Sequence, residues 1–318
     1  MTTTEIFSVD LPVGEKFAIR RTRFTPSEHG GEGSGKRISI VSGIHGDELE
    51  GQYAIFLLAQ WLRDHPEAIR GTVDIYPAVN PLGIDTITRS FPLYNVDLNR
   101  VFPGGREDTL PGQVAFALTE DVRGSDIAID IHSSNIFLTE MPQIRISRDL
   151  EGRLVPLARQ LNCQFIWVHD AVTVLESTFA HTMNELGTDT LVVEMGVGMR
   201  VTPLYGHQLL KGMLNLMAHE GILSPEAKSE VMTPIYSHHG EVHYLNAPCS
   251  GLFIPRCEHG ARVDRGDLIG EIVDPLHGEV RREIVSDHQG LLFTLRAYPV
   301  VYEGSLMARL FGEKHAED

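Results

Sequence analysis

A chain of 318 residues is longer than one hydrophobic core usually supports, so a large domain with a smaller companion is expected. Hydrophobic residues at 42% and charged residues at 22% are ordinary globular values, and no apolar run approaches the roughly 18 residues that span a bilayer. The formal charge of −16 argues against nucleic acid or an anionic membrane surface as partner, yet leaves room for a small anionic substrate held by a local field.

The opening "MTTTEIFSVDLPVGEKF" has neither a basic start nor an apolar core, so no signal peptide is expected. Cys163, Cys249 and Cys257 form no CxxC pair, which reads as reduced thiols and favours the cytoplasm. "KFAIRRTRF" (16–24) alternates as a half-exposed strand does. The Gly-rich 26–36 turn that follows grazes a phosphate-loop pattern with Gly30, Gly35 and Lys36, but Arg37 replaces the hydroxyl residue and a strand follows where that loop needs a helix. "RISIVSG" (37–43) reads as a buried strand, and 49–63 has apolar positions at helical spacing. "TVDIYPAVN" (72–80) is a further strand ended by Asn80-Pro81. A long stretch, 81–112, is expected to be irregular, and loops of that length usually carry function. "DIAIDIHSS" (126–134), "QFIWVHD" (164–170) and "DTLVVEMG" (189–196) read as strands, with helical patterns around 113–123, 150–161 and 206–221. Alternating strands and helices predict an α/β fold with a mixed, largely parallel sheet flanked by helices.

Beyond about residue 230 the texture changes. "CSGLFIPRCEHGARVDRGDLIGEIV" and its continuation have short β-like runs punctuated by Gly, without a helical period, which predicts a compact all-β module. It resembles the biotinyl/lipoyl hammerhead fold. A carrier needs a lysine on its hairpin, and none occurs between Lys228 and Lys314, so a structural or lid role is expected instead. The expected division is 1–232 and 233–318.

Three residues occupy equivalent places: His45 after the strand 37–43, His132 at the end of 126–134, and Glu194 directly after "LVV". Ligands of open α/β sheets bind at the carboxyl ends of strands, so these can converge. Glu48 lies three residues after His45. A lone His-x-x-Glu is more often a surface pair, and a lone strand-end histidine is usually a satisfied core residue. Together, two imidazoles and one carboxylate form a catalytic zinc pattern with a fourth position left for water.

"GIHGDELEG" (43–51), "DLNR" (97–100), "DIHSS" (130–134) and "VVEMG" (192–196) resemble the succinylglutamate desuccinylase/aspartoacylase family, zinc enzymes of the carboxypeptidase A superfamily. The resemblance covers most of 37–200, and the β module matches members with a C-terminal barrel. It implies a zinc-carboxypeptidase-like fold with one Zn²⁺ per chain held by His45, Glu48 and His132, and Glu194 as the catalytic glutamate. It further implies Asn99 and Arg100 as a carboxylate-binding pair, Asp97 as the carboxylate that orients a ligating imidazole, and Arg89 as the group that polarises the scissile carbonyl. Asp130, two before His132 on the same strand face, competes with Asp97 for the orienting role. Aspartoacylases also place an arginine and a tyrosine before the catalytic glutamate; here 175–193 contains neither, and His181 or Ser177 are the candidates to substitute. "SHHGEVH" (237–243) is read as a surface turn rather than a second metal site.

The expected activity is zinc-dependent hydrolysis of the amide bond of a small N-acylated amino acid or related amine. A carboxypeptidase-like peptidase and a non-catalytic binding protein are the alternatives. The expected partner is a small acylated amino acid, with no nucleic acid and no membrane; a homo-oligomer is compatible with the sequence.

Overall fold

The computed structural model describes residues 1–26, 33–169, 177–238 and 241–312. The first half of the chain runs β1 (Thr2–Asp10), β2 (Lys16–Phe24), β3 (Arg37–Ser42), α1 (Glu50–Asp64), β4 (Thr72–Tyr76), α2 (Pro81–Thr86), α3 (Leu110–Val122) and β5 (Ile127–Ser133). It continues through β6 (Leu138–Ser147), α4 (Glu151–Ala158), β7 (Phe165–His169), α5 (Phe179–Glu185), β8 (Asp189–Gly196) and α6 (Pro203–His219). The remainder is strand: β9 (Ile235–His238), β10 (Val242–Asn246), β11 (Gly251–Pro255), β12 (Arg262–Val263), β13 (Leu268–Asp274), β14 (Glu279–Val285), β15 (Gly290–Arg296), β16 (Val300–Val301) and β17 (Leu306–Gly312).

The centre of the large sheet is parallel, in the order β4-β3-β5-β8. Antiparallel strands flank it, with β2 and then β1 beyond β4, and β6 beyond β8. The expected mixed sheet with helices on both faces therefore forms. Ile38, Ile40, Ile129, Leu191 and Val193 meet α1 and α6 on one face through Leu58, Leu62, Leu209 and Met213. Val41 and Ala128 meet α3 and α5 on the other through Val114, Leu118, Phe179 and Met183. Because the connection from β3 leads outward to β4 and the next returns to β5, the strand order reverses between β3 and β5. Their carboxyl ends open a crevice there.

Strands β15, β17 and β10 extend the same large sheet, with β15 pairing antiparallel to β6 (Thr294 opposite Glu140). A four-stranded sheet, β14-β13-β11-β16, packs the rest of the β-rich C-terminal part around Phe253, Ile272 and Met307.

Three departures from expectation have local causes. The stretch 81–112 opens with a helix, α2, because Asn80 caps it by accepting from the Gly83 amide at 2.9 Å while Pro81 stands where no amide is needed. The Asn-Pro pair that ends a strand thus also starts a helix, and α3 begins at Leu110 inside the same stretch. β6 gave no strand signal because Pro142 interrupts it. The register shift between Glu140 and Gln143 is the bulge that accommodates the proline. α5 has seven residues, too few for a legible period. Residues 27–32 of the Gly-rich turn, and His239 of the histidine cluster, lie outside the described residues. The flanking His238 and His243 face different partners: His238 lies 3.5 Å from Glu151, and His243 stacks on His288 with ring centroids 3.6 Å apart.

Asp74 on β4 is fully buried and gathers three arginines: Arg23 at 2.7 Å, Arg37 at 2.9 Å and Arg21 at 3.7 Å. Asp74→Ala strips the carboxylate that faces Arg23 and Arg37, while Asp121 still holds Arg21 at 2.9 Å. Loss of about 3 kcal/mol or more in urea-unfolding stability is expected, with the activity of the folded fraction near parent. An unchanged unfolding midpoint would show the arginines to be satisfied without it.

Candidate functional site

The turn after β3 is shaped by glycine. Gly43 has φ +70°, and a Cβ on Gly46 would stand 2.0 Å from the Gly83 carbonyl carbon at the start of α2. Only glycine lets the two segments touch there. The chain then doubles back, with the Glu48 amide 3.4 Å from the His45 carbonyl, and both side chains face the crevice.

Glu48 is the hub. Its Oε1 lies 2.8 Å from His45 Nδ1, and its Oε2 lies 2.9 Å from His132 Nδ1 and accepts from the Ser133 amide at 3.1 Å. All three residues are buried, and their ligand atoms lie within 4.8 Å of one another. Each imidazole has its own carboxylate behind it: Asp97 Oδ1 is 2.9 Å from His45 Nε2, and Asp130 Oδ2 is 3.0 Å from His132 Nε2. Asp97 is hydrogen-bonded to His45, and Asp130 stands beside His132 at ion-pair distance without a hydrogen bond. The Asp97 contact turns the His45 ring with its Nδ1 toward Glu48, and the His132 ring presents its Nδ1 to the same carboxylate.

This donor set fits a divalent cation. His45 Nδ1 is buried and makes no hydrogen bond, despite its closeness to Glu48. Three carboxylates and the Arg89 guanidinium surround the two imidazoles. Burial works to raise the Glu48 carboxyl, but the His45 and His132 imidazoles override it and hold it well below the usual carboxylate range. Deprotonated carboxylate with two imidazole nitrogens at 4.8 Å or less is the composition expected of a zinc centre. A second group of potential ligands among the described residues, Asp274, His277 and Glu279, differs: Arg281 already neutralises Asp274.

Glu194 stands opposite His132 in the β5–β8 register, on the next strand of the same sheet. Burial pushes its carboxyl up; Arg145, whose Nη1 is 3.3 Å from Oε1, pulls it down, and Glu140 adds to the rise, leaving it raised overall. Arg89 donates to Glu48 Oε1 at 2.6 Å and lies 3.6 Å from Asp97 Oδ2, with 39% of its side chain exposed. Asn99 is buried. Its Oδ1 accepts from the Phe179 amide at 2.9 Å, tying the 97–100 segment to α5, and its Nδ2 lies 3.5 Å from His132 Nε2. Arg100 is exposed, and its guanidinium donates to the Asn99 carbonyl at 2.8 Å. Asp97 holds the turn by accepting from the Asn99 amide.

His45, Glu48, Arg89, Asn99, Arg100, His132 and Glu194 all line one cavity of about 560 Å³. Asp97 supports it from behind. His181 also reaches the lining. Sequence reasoning missed Glu140 and Arg145 of β6 and Arg309 of β17, which line the cavity too. The two opposite charges among apolar residues in "LTEMPQIRIS" were the available signal.

The family model for the succinylglutamate desuccinylase/aspartoacylase catalytic domain matches residues 34–220. An N-alpha-acetyl-L-2,4-diaminobutyric acid deacetylase from Halomonas elongata is 25% identical over 283 residues, 87% of this chain and 82% of that protein. Mouse aspartoacylase (Mus musculus) is 41% identical over 68 residues, 21% of this chain and 20% of its own length. Among solved structures, a succinylglutamate desuccinylase/aspartoacylase from Rhodobacter sphaeroides superimposes with a TM-score of 0.78 at 25% identity, covering 98% of this chain and 94% of that one. The product-bound ectoine utilization protein EutE (DoeB) from Ruegeria pomeroyi gives 0.79 at 21% identity, over 96% and 93% of the two chains.

Proposed function

The chain belongs to the succinylglutamate desuccinylase/aspartoacylase family, and on that premise we propose that it hydrolyses the amide bond of a small N-acylated amino acid, using one zinc ion. The observation that carries this reading is the meeting of a His45–Glu48–His132 donor set with a half-buried, raised carboxylate, Glu194, in one cavity. The Halomonas relative, named for removing acetyl from an amino acid, supports the substrate class.

His45, Glu48 and His132 would hold the metal, with Asp97 and Asp130 fixing the two imidazoles. The ion supplies Lewis-acid polarisation of a carbonyl and makes a water acidic near neutral pH. Glu194 takes the proton of the attacking water on a carboxylate oxygen and delivers it to the departing amine; a carboxyl raised by burial suits both transfers. Arg89, beside Glu48 at the rim, is the donor for the developing oxyanion, a contribution on the order of 3 kcal/mol. Arg100 presents a planar fork to the substrate carboxylate, and Asn99 adds its Nδ2.

We take 1–232 as the hydrolase domain and 233–318 as an all-β domain. None of the described helices is long and apolar enough to cross a membrane. The unpaired cysteines support a cytoplasmic setting.

Turnover of a panel of acetyl, succinyl and formyl amino acids by the zinc-loaded protein tests the activity; failure on every member, with peptides cleaved instead, would make it a peptidase. The carboxylate grip has its own test, kcat/KM for an N-acyl amino acid against its carboxamide. The parent is expected to prefer the free acid by at least about tenfold, as a charge-assisted bidentate contact allows. Arg100→Ala should erase that preference, and Arg100→Lys, with charge but no fork, should recover part of it. Equal rates on acid and amide in the parent would leave Arg100 without this role.

A further inference from the structure

Glu140 lies on β6 just before the bulge and is almost fully buried. Two guanidinium groups converge on it. Arg145, from the same strand, donates Nη2 to both carboxylate oxygens at 2.8 and 3.1 Å. Arg309, from β17, donates to Oε1 at 2.5 Å. Both guanidinium groups also lie over the Trp167 ring, 5.8 and 5.7 Å from its centroid, and Arg309 sits 5.8 Å from that of Tyr244. The arrangement has a direction. Glu140 occupies Nη2 of Arg145, and Nη1 of the same fork is left 3.3 Å from Glu194.

We propose that Arg145 is a positioning residue for Glu194, and that Arg309 of the C-terminal strand β17 sets Arg145 through Glu140. A free arginine next to a carboxylate closes into a two-bond pair and takes up both oxygens. Here Glu140 holds half of the fork, so Glu194 receives one long contact and keeps an oxygen for the substrate water. Arg309 neutralises the charge that Glu140 would otherwise place, unshared, on Arg145. Four charged groups on β17, β6 and β8 thus form one connected line into the cavity, and the packing of β15 and β17 beyond β6 becomes a condition for catalysis as well as for stability. The inference rests on Glu194 acting as the proposed base.

The test is steady-state kinetics of the zinc-loaded full chain on the best substrate of the acyl-amino-acid panel, with metal content measured for each variant. Arg145→Met and Arg309→Met are expected to lower kcat by at least about tenfold, since small misplacements of a reacting group are costly. KM should stay within about twofold and zinc within error of one per chain, because neither arginine contacts substrate or metal in this scheme. Arg309→Lys should recover most of kcat, its single contact with Glu140 needing only a point charge, whereas Arg145→Lys should not, since it cannot serve two carboxylates as a fork. Raised KM with parent kcat would overturn the proposal by making these arginines substrate-binding groups, and parent values throughout would overturn it outright. Glu194→Gln is measured alongside. If it is inactive while Arg145→Met and Arg309→Met are normal, only this inference fails; if it keeps parent kcat, the base assignment beneath it fails. Should Arg145→Met not fold, the contrast between Arg309→Met and Arg309→Lys decides.

Discussion

Glu194→Gln is expected to keep its metal and lose at least about 100-fold in turnover. The amide matches the carboxylate in shape but cannot accept a proton. Glu194 is not among the three residues whose ligand atoms converge, so its replacement should spare the ion. It lies one strand over from His132, in register, where a group can reach the space in front of the donor set without entering it. The loss should appear in kcat and kcat/KM alike, the pattern of an interaction made during the chemical step. Metal content near one per chain beside intact circular dichroism would exclude misfolding as the cause. If the zinc leaves with the carboxylate, Glu194 is a ligand, and the base must be sought elsewhere in the cavity.

His132→Ala is expected to release most of the bound zinc and, with it, nearly all activity. His45 and Glu48 would remain, and two protein ligands make a poor site for an ion that takes three in catalytic centres and four in structural ones. The structure sharpens the expectation, because His132 is the link between two carboxylates. Its Nδ1 faces Glu48 and its Nε2 faces Asp130. Removing the ring leaves Asp130 buried without its nearest base and takes from Glu48 one of its two imidazoles, which costs stability as well as affinity. Elemental analysis after dialysis is the measurement. Full retention at parent affinity would sink the ligand assignment. A partial loss, with zinc restored at higher concentration, would place His132 in the set with a smaller share.

Much of this site is legible along the chain because its parts are local. "GIHGDELEG" holds His45 and Glu48 in one turn, and the two glycines that shape it, Gly43 and Gly46, are in the same ten residues. His132 and Glu194 follow apolar strand runs, and the rule that ligands gather at the carboxyl ends of parallel strands brings them together before any coordinates are seen. The "DLNR" turn is equally local, since Asp97 caps it and binds His45 from it. The family itself could be read from those four stretches.

Other features had no local signature. Whether Asp97 or Asp130 stands behind a histidine could not be ranked from spacing, because the answer, one carboxylate to each ring, depends on which way each imidazole turns once Glu48 lies between them. Asn99 reads as half of a carboxylate grip, yet its Oδ1 is committed to the Phe179 amide, 80 residues on, in a helix too short to announce itself. β6 stayed invisible because Pro142 breaks its alternation, and only the bulge, which needs a partner strand to exist, lets the proline in. The largest gap is the line from Arg309 through Glu140 and Arg145 to Glu194. Its members are up to 169 residues apart, on strands that become neighbours only when β15 pairs with β6 and β17 with β15. Sequence by itself determined most of the elements and the family, and pointed to the donor set, since turns, periodicity and ligand type are properties of short stretches. Tertiary structure alone decided which acid serves which base, because a charge buried among strands takes its partner from whatever the sheet order brings within about 3 Å, and sheet order is settled by the packing of the whole chain.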